Sequence, residues 1–419
     1  MALKIGSTSP NSSLKYLATK NGQPALYRSG TNTETYNGLS GKTLAVTYQA
    51  ETNPYDIAVG EGIIAHAEGV ENSATATGLN KLYLFNALQA VESNSNAEAL
   101  IAEVVCSDSN RMEFGNGLLG RSIAIHDGHV FVGAPHWPSN GERGKVFKFT
   151  TQGEETNQSA QLNSQGYFGS VVVAGCGKVA VSTGGRGIFE NVWLYNTDFT
   201  NPITIQRPSQ NSSLSQFGFD LAIGDDLLVI AHAGGSSPGT AYIYDLDGNY
   251  LRELQSPEAS PQGNDDYGYS IAIGEGIIAV GAVGESGGGA VYIFDYNGKF
   301  IKKLSHEPEV LISPNIGDRF GENVSISGGR IYVSDSMAHL DNFADLGIIS
   351  VFDIEGNFIN HLSPVNPQSF KYYGRGMQVS NGFMVTRGLT DSRGEWDVRT
   401  VQNTKTPLSM KNKYIHGIE

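Results

Sequence analysis

A glycine-anchored segment recurs seven times along the chain at intervals close to 50 residues. One copy reads YGYSIAIGEGIIAVGA and runs from Tyr267 to Ala282. The anchor is a proline in the first copy and a glycine in the others: Pro54, Gly120, Gly169, Gly218, Gly268, Gly321 and Gly374. The steps between them are 66, 49, 49, 50, 53 and 53 residues. Such a period, built from strand-like segments, is typical of the blades of a β-propeller.

Each copy of the repeat contains four strand-like segments. In the fifth copy they are SIAIG, IIAVGA, AVYIFD and KFIKKLS, which are rich in β-branched and aromatic residues. The link GEG joins the first two, and glycine there supplies the positive φ that a tight hairpin needs. One sheet cannot bury both of its faces alone, so the blades must stack in a ring. The repeat therefore predicts an all-β, seven-bladed β-propeller of four-stranded blades.

The composition suits this fold and disfavours several classes of function. Glycine provides 52 of the 419 residues, above the usual ~7%. With 28 basic and 42 acidic residues the net charge is −14, whereas nucleic-acid binding needs a basic surface. The chain has no apolar run of transmembrane length, and its opening MALKIGSTSP lacks the apolar core of a signal peptide. We therefore expect no nucleic-acid partner, no membrane insertion and no classical secretion.

The seventh copy of the repeat is one strand short. GMQVS, GFMVTRG and EWDVRTV follow Gly374, with a weaker tail beyond them. A strand-like piece, KTLAVTYQA, precedes the first copy, and we predict that Leu44–Gln49 completes blade seven and removes two exposed sheet edges. Closure by the tail segment TPLSM is the alternative. The predicted domains are an assembly arm at 1–41, the propeller at 42–408 and a C-terminal tail at 409–419.

Short motifs in the repeat point to a known family. An aromatic residue precedes the anchor glycine at Phe168, Phe217, Tyr267, Phe320 and Tyr373, and GAP stands at 133–135. With these motifs the chain resembles the FG-GAP repeat family over about residues 43–402, which implies the same propeller fold. Integrin-type members carry a calcium loop between strands one and two, but GEG is too short for six or more oxygen ligands. DLDGN, at Asp245–Asn249, lies between strands three and four, so we predict an ordinary turn there.

The first 41 residues do not belong to the repeat. They are polar, with two strand-like pieces, LKYLA and PALYR, and KNGQ as a hairpin turn between them. The opening ALKIGST followed by KYLATKNGQPALYRSG is similar to the leader of structural proteins of tailed bacteriophages, marine ones in particular. This resemblance implies an arm that docks to other virion proteins; an arbitrary polar arm is the alternative. The candidate arm contacts are Leu14, Tyr16, Leu17, Leu26 and Tyr27.

Motifs for catalysis and for cofactors are missing from the sequence. It contains no Asp-box, HExxH or GxSxG, and no phosphate loop in a strand–helix context. Cys106 and Cys176 lack metal-ligand spacing. His66 and His232 occupy strand two at non-equivalent positions, so we expect neither to be a ligand. We expect no enzyme activity, no catalytic residue, no cofactor and no metal site.

A loop in blade six is the nearest approach to a cation site in the sequence. SDSMAHLDNFADLG holds Asp335, Asp341 and Asp345, and we interpret it as a charged loop rather than as a cation site.

The links between strands two and three vary most from blade to blade. They emerge on one face of the ring, and several carry aromatic or charged residues. The candidate binding residues are Trp137, Arg143, Arg186, Phe189, Asp341 and Phe343. Aromatic and charged side chains on a rigid scaffold suit recognition of glycans or protein surfaces. Loops that fold down onto their own blades are the alternative.

Two hypotheses of different classes follow. The first is a non-enzymatic virion protein of a tailed phage, made in the host cytoplasm and present in several copies. Its arm docks to the particle, and its propeller serves as a spacer or binds a glycan or protein of the host surface. The second is a bacterial FG-GAP-type carbohydrate-binding or lytic propeller. An exported bacterial protein is expected to begin with a signal peptide, which favours the first hypothesis.

Overall fold

The computed structural model of the protein describes most of the repeat region and three strands that precede it. The described residues are 14–18, 24–28, 45–49, 54–68, 81–93, 96–105, 122–135, 143–161, 166–184, 191–208, 216–233, 239–257, 265–306, 318–339, 344–364, 372–390 and 393–401. They form seven four-stranded sheets and one two-stranded sheet. The seven-bladed propeller predicted from the repeat is confirmed.

The strands follow the chain blade by blade. Before the first blade lie β1 (Leu14–Ala18), β2 (Pro24–Arg28) and β3 (Ala45–Gln49). Blades one to three contain β4 (Pro54–Gly60), β5 (Ile63–Glu68), β6 (Lys81–Asn86), β7 (Leu100–Val105), β8 (Ile123–His126), β9 (His129–Ala134), β10 (Lys145–Thr150), β11 (Glu155–Gln161), β12 (Val171–Gly175), β13 (Lys178–Ser182), β14 (Asn191–Asn196) and β15 (Ile203–Gln206). Blades four and five contain β16 (Phe217–Gly224), β17 (Leu227–His232), β18 (Thr240–Asp245), β19 (Tyr250–Gln255), β20 (Tyr267–Gly274), β21 (Ile277–Ala282), β22 (Ala290–Asp295) and β23 (Phe300–Leu304). Blades six and seven contain β24 (Val324–Ser327), β25 (Arg330–Asp335), β26 (Ile348–Asp353), β27 (Phe358–Leu362), β28 (Gly376–Ser380), β29 (Phe383–Thr390) and β30 (Arg393–Thr400).

The turn between strands one and two has the geometry that its sequence predicts. In blade five, Glu275 and Gly276 connect β20 to β21 with φ angles of +58° and +89°. Two successive positive φ angles define the hairpin turn whose twist matches that of the flanking strands.

Blade seven is completed from the N-terminal side of the chain. Its strand order is β28-β29-β30-β3, and β3 pairs with β30 in antiparallel register, Val46 opposite Val398 and Tyr48 opposite Trp396. This confirms the predicted closing strand, which the structure describes as Ala45–Gln49. The alternative segment TPLSM lies outside the described residues. Because one sheet now joins both ends of the repeat, unfolding blade seven breaks the ring.

The hydrophobic core is divided among the seams between neighbouring blades. At one seam Val192 and Leu194 of blade three pack with Phe217, Ile230 and Tyr242 of blade four. Each blade therefore relies on its neighbours to bury its apolar faces, as the stacking argument requires.

Buried polar side chains also link consecutive blades near the start of strand one. Asp56 accepts hydrogen bonds from Ser122 of blade two, and Asp220 accepts one from the backbone N–H of Ile271 at 2.6 Å. Ser270 donates to the carbonyl oxygen of Gly321 at 2.7 Å. Such buried hydrogen bonds fix the position of each blade on the next.

Blade one contains a helical insertion that the repeat does not predict. Helices α1 (Ala87–Ser93) and α2 (Asn96–Ala99) lie between β6 and β7, where the other blades have a turn. The side chain of Asn86 accepts the backbone N–H of Gln89 at 2.9 Å, as a helix N-cap does. The insertion accounts for part of the first interval of the repeat, which at 66 residues is longer than the others. Neither helix, in the described part of the chain, is long and apolar enough to cross a bilayer.

Candidate functional site

Because the strands of each blade are antiparallel, strand two and strand four end at the same end of the ring, where the links to strand three and to the next blade begin. We call this end the 2–3 face. Arg143, one of the predicted binding residues, is exposed there, and its carbonyl oxygen accepts the backbone N–H of Phe168 in the next blade at 3.3 Å. The other predicted binding residues lie outside the described residues: Trp137, Arg186, Phe189, Asp341 and Phe343. A common binding surface for the six stays a prediction.

The predicted arm residues fall on a β-hairpin. β1 and β2 pair in antiparallel register, with Tyr16 opposite Leu26 and Leu17 opposite Ala25. The two strands predicted in the arm are thereby confirmed, whereas the KNGQ turn lies outside the described residues. The docking role of Leu14, Tyr16, Leu17, Leu26 and Tyr27 stays a prediction.

The last variable link is shorter than its sequence indicates. In blade seven the turn-like segment LTDSRGE, at residues 389–395, predicts a loop, yet β29 and β30 continue through most of it. Leu389 pairs with Gly394, and Thr390 pairs with Arg393. Two residues, 391 and 392, therefore separate the paired strand ends, and they lie outside the described residues.

In blade five the link between strands two and three is folded down on its own blade. Tyr292 donates its hydroxyl to Oε2 of Glu285 at 2.6 Å, and the ammonium group of Lys303 contacts the other carboxylate oxygen. The backbone N–H of Gly289 donates to the carbonyl oxygen of Glu285 at 3.0 Å. This link is therefore held against its own blade through Glu285.

At the seam between blades five and six, three polar side chains converge on the 2–3 face. We call His306, Asp318 and Asp335 the His306 cluster. Each can offer one ligand atom, and the three atoms lie within 4.8 Å of one another. Nε2 of His306 lies 2.9 Å from Oδ2 of Asp335 and 3.3 Å from the carbonyl oxygen of Gly288. The cluster combines blade five, through His306 and Gly288, with blade six.

The backbone holds the cluster in place. Oδ1 of Asp335 accepts the backbone N–H groups of Arg319 at 2.9 Å and Met337 at 3.1 Å, which fixes the carboxylate with Oδ2 toward His306. The imidazole of His306 meets the ring of Phe320 edge to face, with centroids 4.7 Å apart. Both carboxylates are buried: Asp335 is 0% exposed and Asp318 is 3% exposed.

A second charged group lies beside the cluster. Glu322 is buried, its Oε1 lies 3.4 Å from Nε of Arg319, and its other carboxylate oxygen accepts the hydroxyl of Ser336. Burial raises the pKa of Glu322; the nearby Asp335 adds to this effect, and Arg319 opposes it. The guanidinium of Arg319 also lies over the ring of Tyr269, 4.9 Å from its centroid.

The two strand-two histidines stand apart from this seam. His66 is buried between Tyr83 and Trp396, with ring centroids 6.2 Å and 5.6 Å away. Burial lowers the pKa of His66 to about 3, and burial lowers that of His232 to about 4. Both are therefore neutral at physiological pH, and neither belongs to a metal-ligand group among the described residues.

The DLDGN segment is a turn, as expected. Asp245 Oδ1 accepts the backbone N–H groups of Asp247 at 3.0 Å and Asn249 at 2.8 Å, and Oδ2 accepts the side-chain amide of Asn249. Both carboxylate oxygens of Asp245 therefore accept hydrogen bonds within the turn.

Sequence reasoning missed two members of the His306 cluster. His306 lies 12 residues before Asp318, and Asp335 follows 17 residues later, so no short motif joins them. The available signal was positional: His306 follows strand four, Asp318 precedes strand one, and Asp335 ends strand two. In a propeller these three positions meet at one seam. The sequence groups Asp335 with Asp341 and Asp345 in one loop; Asp345 lies beside His339, 3.7 Å from its Nδ1, and Asp341 lies outside the described residues.

Comparison with known proteins establishes the fold alone. No family model and no curated protein matches the chain. Three similar solved structures are propellers. The β-propeller domain of the trilobed protease from Pyrococcus furiosus has a TM-score of 0.50 and 11% identity, and the match covers 85% of this chain and 97% of that one. The WD40 repeats of RRP9 have a TM-score of 0.52 and 10% identity, and the match covers 85% of this chain and 98% of that one.

The third similar structure, YCF48 bound to D1 peptide, gives a TM-score of 0.51 and 10% identity, covering 87% and 98% of the two chains. Identities this low carry no information about activity or ligands. The chain is a seven-bladed β-propeller, an architecture consistent with a binding or scaffold module.

Proposed function

We propose that this chain is a non-enzymatic binding module of a tailed phage particle. The arm at residues 1–41 docks to other virion proteins, and the propeller serves as a spacer or presents its 2–3 face to a host-surface glycan or protein. Each particle carries several copies. The resemblance to the FG-GAP family and to phage leaders supports this proposal from the sequence.

The position of β3 is the observation that carries the proposal. It is the outermost strand of blade seven and also the first described strand after the arm. The arm therefore enters the ring at its outer rim, and a load applied to it falls on the β3–β30 ladder. An attachment at the rim would leave both ends of the ring accessible, so that the 2–3 face could bind a partner. Strands β1 and β2 form a two-stranded sheet of their own, as a separate docking element requires.

The test is incorporation into particles. A deletion of residues 1–38 spares β3, so the ring can close, and virions that carry only this variant are purified and examined by quantitative immunoblot. We expect a soluble truncated propeller that is absent from the particles, whereas the full chain is present. Incorporation at normal occupancy would exclude the arm as the anchor. Absence of the full chain from particles would exclude the virion role and favour the carbohydrate-binding alternative, which a glycan array tests.

A further inference from the structure

We infer that the His306 cluster is a binding site for one divalent transition-metal ion, with Zn²⁺ as its best-fitting occupant. This inference does not depend on the proposed function. The three ligand atoms come from an imidazole and two carboxylates, a donor set that suits Zn²⁺ and its first-row neighbours. Ca²⁺ and Mg²⁺ prefer oxygen ligands alone, so an imidazole disfavours them.

The distances allow the three atoms to share an ion. Ligands that bind Zn²⁺ at about 2.1 Å stand about 3.0–4.2 Å apart, depending on the angle between them. The atoms of the cluster lie within 4.8 Å of one another, with the His306–Asp335 pair at 2.9 Å. Small side-chain rotations therefore complete the coordination. Gly288 leaves the room for this, because a Cβ at that position would stand 3.2 Å from Nε2 of His306.

The hydrogen-bonding pattern at Nε2 favours an ion over a simple His–Asp pair. Nε2 has hydrogen-bond geometry toward the carbonyl oxygen of Gly288, while the fully buried Oδ2 of Asp335 receives no hydrogen bond from the described residues. A proton on Nε2 that points to Gly288 is not aligned with Oδ2, although the two atoms stand 2.9 Å apart. If Nε2 instead carries no proton, its lone pair faces the lone pairs of the Gly288 carbonyl oxygen, which is repulsive. A cation bound by Nε2 and Oδ2 satisfies both atoms.

The burial of carboxyl groups in the cluster also favours a bound cation. The cluster combines two buried carboxyl groups with one imidazole. Glu322 adds a third buried carboxyl group nearby, and Arg319 pairs with it. Burying several carboxyl groups together is costly, and a divalent ion would offset part of that cost. Because the ligands come from two blades, the ion would cross-link blades five and six. It would also fix the ends of the chain segments that begin at this seam.

The full chain, stripped with a chelator and dialysed, is titrated with Zn²⁺ by calorimetry and melted with and without one equivalent. We expect one site and a higher melting temperature with Zn²⁺, a smaller effect with Mn²⁺, and little with Ca²⁺ or Mg²⁺. His306→Gln and Asp335→Asn should each raise the dissociation constant for Zn²⁺ at least about tenfold. Both replacements keep a polar group of similar shape, so the fold is retained; circular dichroism checks this.

His339→Gln is the matched control, because His339 lies on the same face beside a different carboxylate, Asp345. It should leave Zn²⁺ affinity unchanged. Co²⁺ provides an independent readout, since imidazole and carboxylate coordination gives visible absorption bands that should disappear in His306→Gln. Failure of the full chain to bind Zn²⁺, equal affinity in wild type and both cluster variants, or preference for Ca²⁺ would each overturn the inference.

Discussion

Asp56 of blade one and Ser122 of blade two form a buried hydrogen-bonded pair across a seam of the ring. Oδ2 of Asp56 accepts the backbone N–H of Ser122 at 2.5 Å and its hydroxyl at 3.0 Å. Burial raises the pKa of Asp56 to about 7, and the positive charge of Arg387 opposes part of this shift. A carboxyl group that loses its proton near pH 4 in the unfolded chain therefore keeps it almost to neutral pH in the ring.

The first prediction concerns Asp56→Asn, which imitates the protonated acid. Because the folded-state pKa is raised, Asp56 contributes most to stability below about pH 4 and loses this contribution as the pH rises toward 7. The wild type minus variant difference in free energy of unfolding should fall by up to about 4 kcal/mol across that window. Urea denaturation in steps from pH 4 to about pH 8 measures it. A difference that is constant with pH contradicts the assignment.

The second prediction concerns His66, whose shift has the opposite sign. Its pKa is lowered to about 3 by burial, so the unfolded chain takes up a proton below about pH 6.5 while the folded protein does not. Stability from this residue is therefore present above pH 6.5 and is lost as the pH falls toward 3. His66→Phe keeps a ring between Tyr83 and Trp396 and should lose less stability than wild type on acidification. Parallel stability profiles for the two proteins would rule this out.

Some features of the fold could be predicted from the sequence, and others could not. The repeat contains the hairpin glycines and the alternating apolar residues, and each of these acts within one blade or at a fixed offset from the next. That is why blade number, strand order and the closing role of β3 could be predicted. The helical insertion after Asn86 could not, because it interrupts the repeat in one blade only. Its helix-forming residues, ALQAV, were the local signal.

The buried polar groups are harder to predict for a physical reason. Asp56, Asp335 and His306 are ordinary polar residues in the sequence, and their properties come from burial and from partners in the neighbouring blade. Aligning the seven copies shows that Asp56 and Asp220 occupy the same place, but the alignment does not reveal the charge that surrounds them. The sequence predicts which links share one end of the ring, while the grouping of His306, Asp318 and Asp335 required the seam geometry.

The third prediction uses two glycines in one link. Gly287 and Gly289 both have a φ of +99°, but a Cβ at Gly289 would lie 2.3 Å from the carbonyl oxygen of Phe320, whereas one at Gly287 meets nothing within 4 Å. Both alanine variants therefore carry similar backbone strain, and only Gly289→Ala clashes with blade six. We expect Gly289→Ala to be less stable than Gly287→Ala by about 2–3 kcal/mol. Equal denaturation midpoints for the two variants would show that the seam can open to admit the methyl group.

The last prediction concerns the closing strand. A deletion of residues 1–38 keeps β3 and should give a monomer that melts close to the full chain. A deletion of residues 1–50 removes β3 and exposes the edge of β30, an eight-residue strand that contains the buried Trp396 and Val398. An unpaired edge of this length favours association between chains. We expect the longer deletion to aggregate on warming, as light scattering and size-exclusion chromatography would report.

A peptide of residues 42–50 supplied in trans provides the matching rescue. It can add to β30 as a fourth strand through the register seen for Val46 and Val398. It should therefore suppress the aggregation of the longer deletion, while a peptide of the same composition in scrambled order should not. If the longer deletion is instead monomeric and as stable as the full chain, another segment such as TPLSM must be able to take the place of β3, and the ring does not depend on its N-terminal strand.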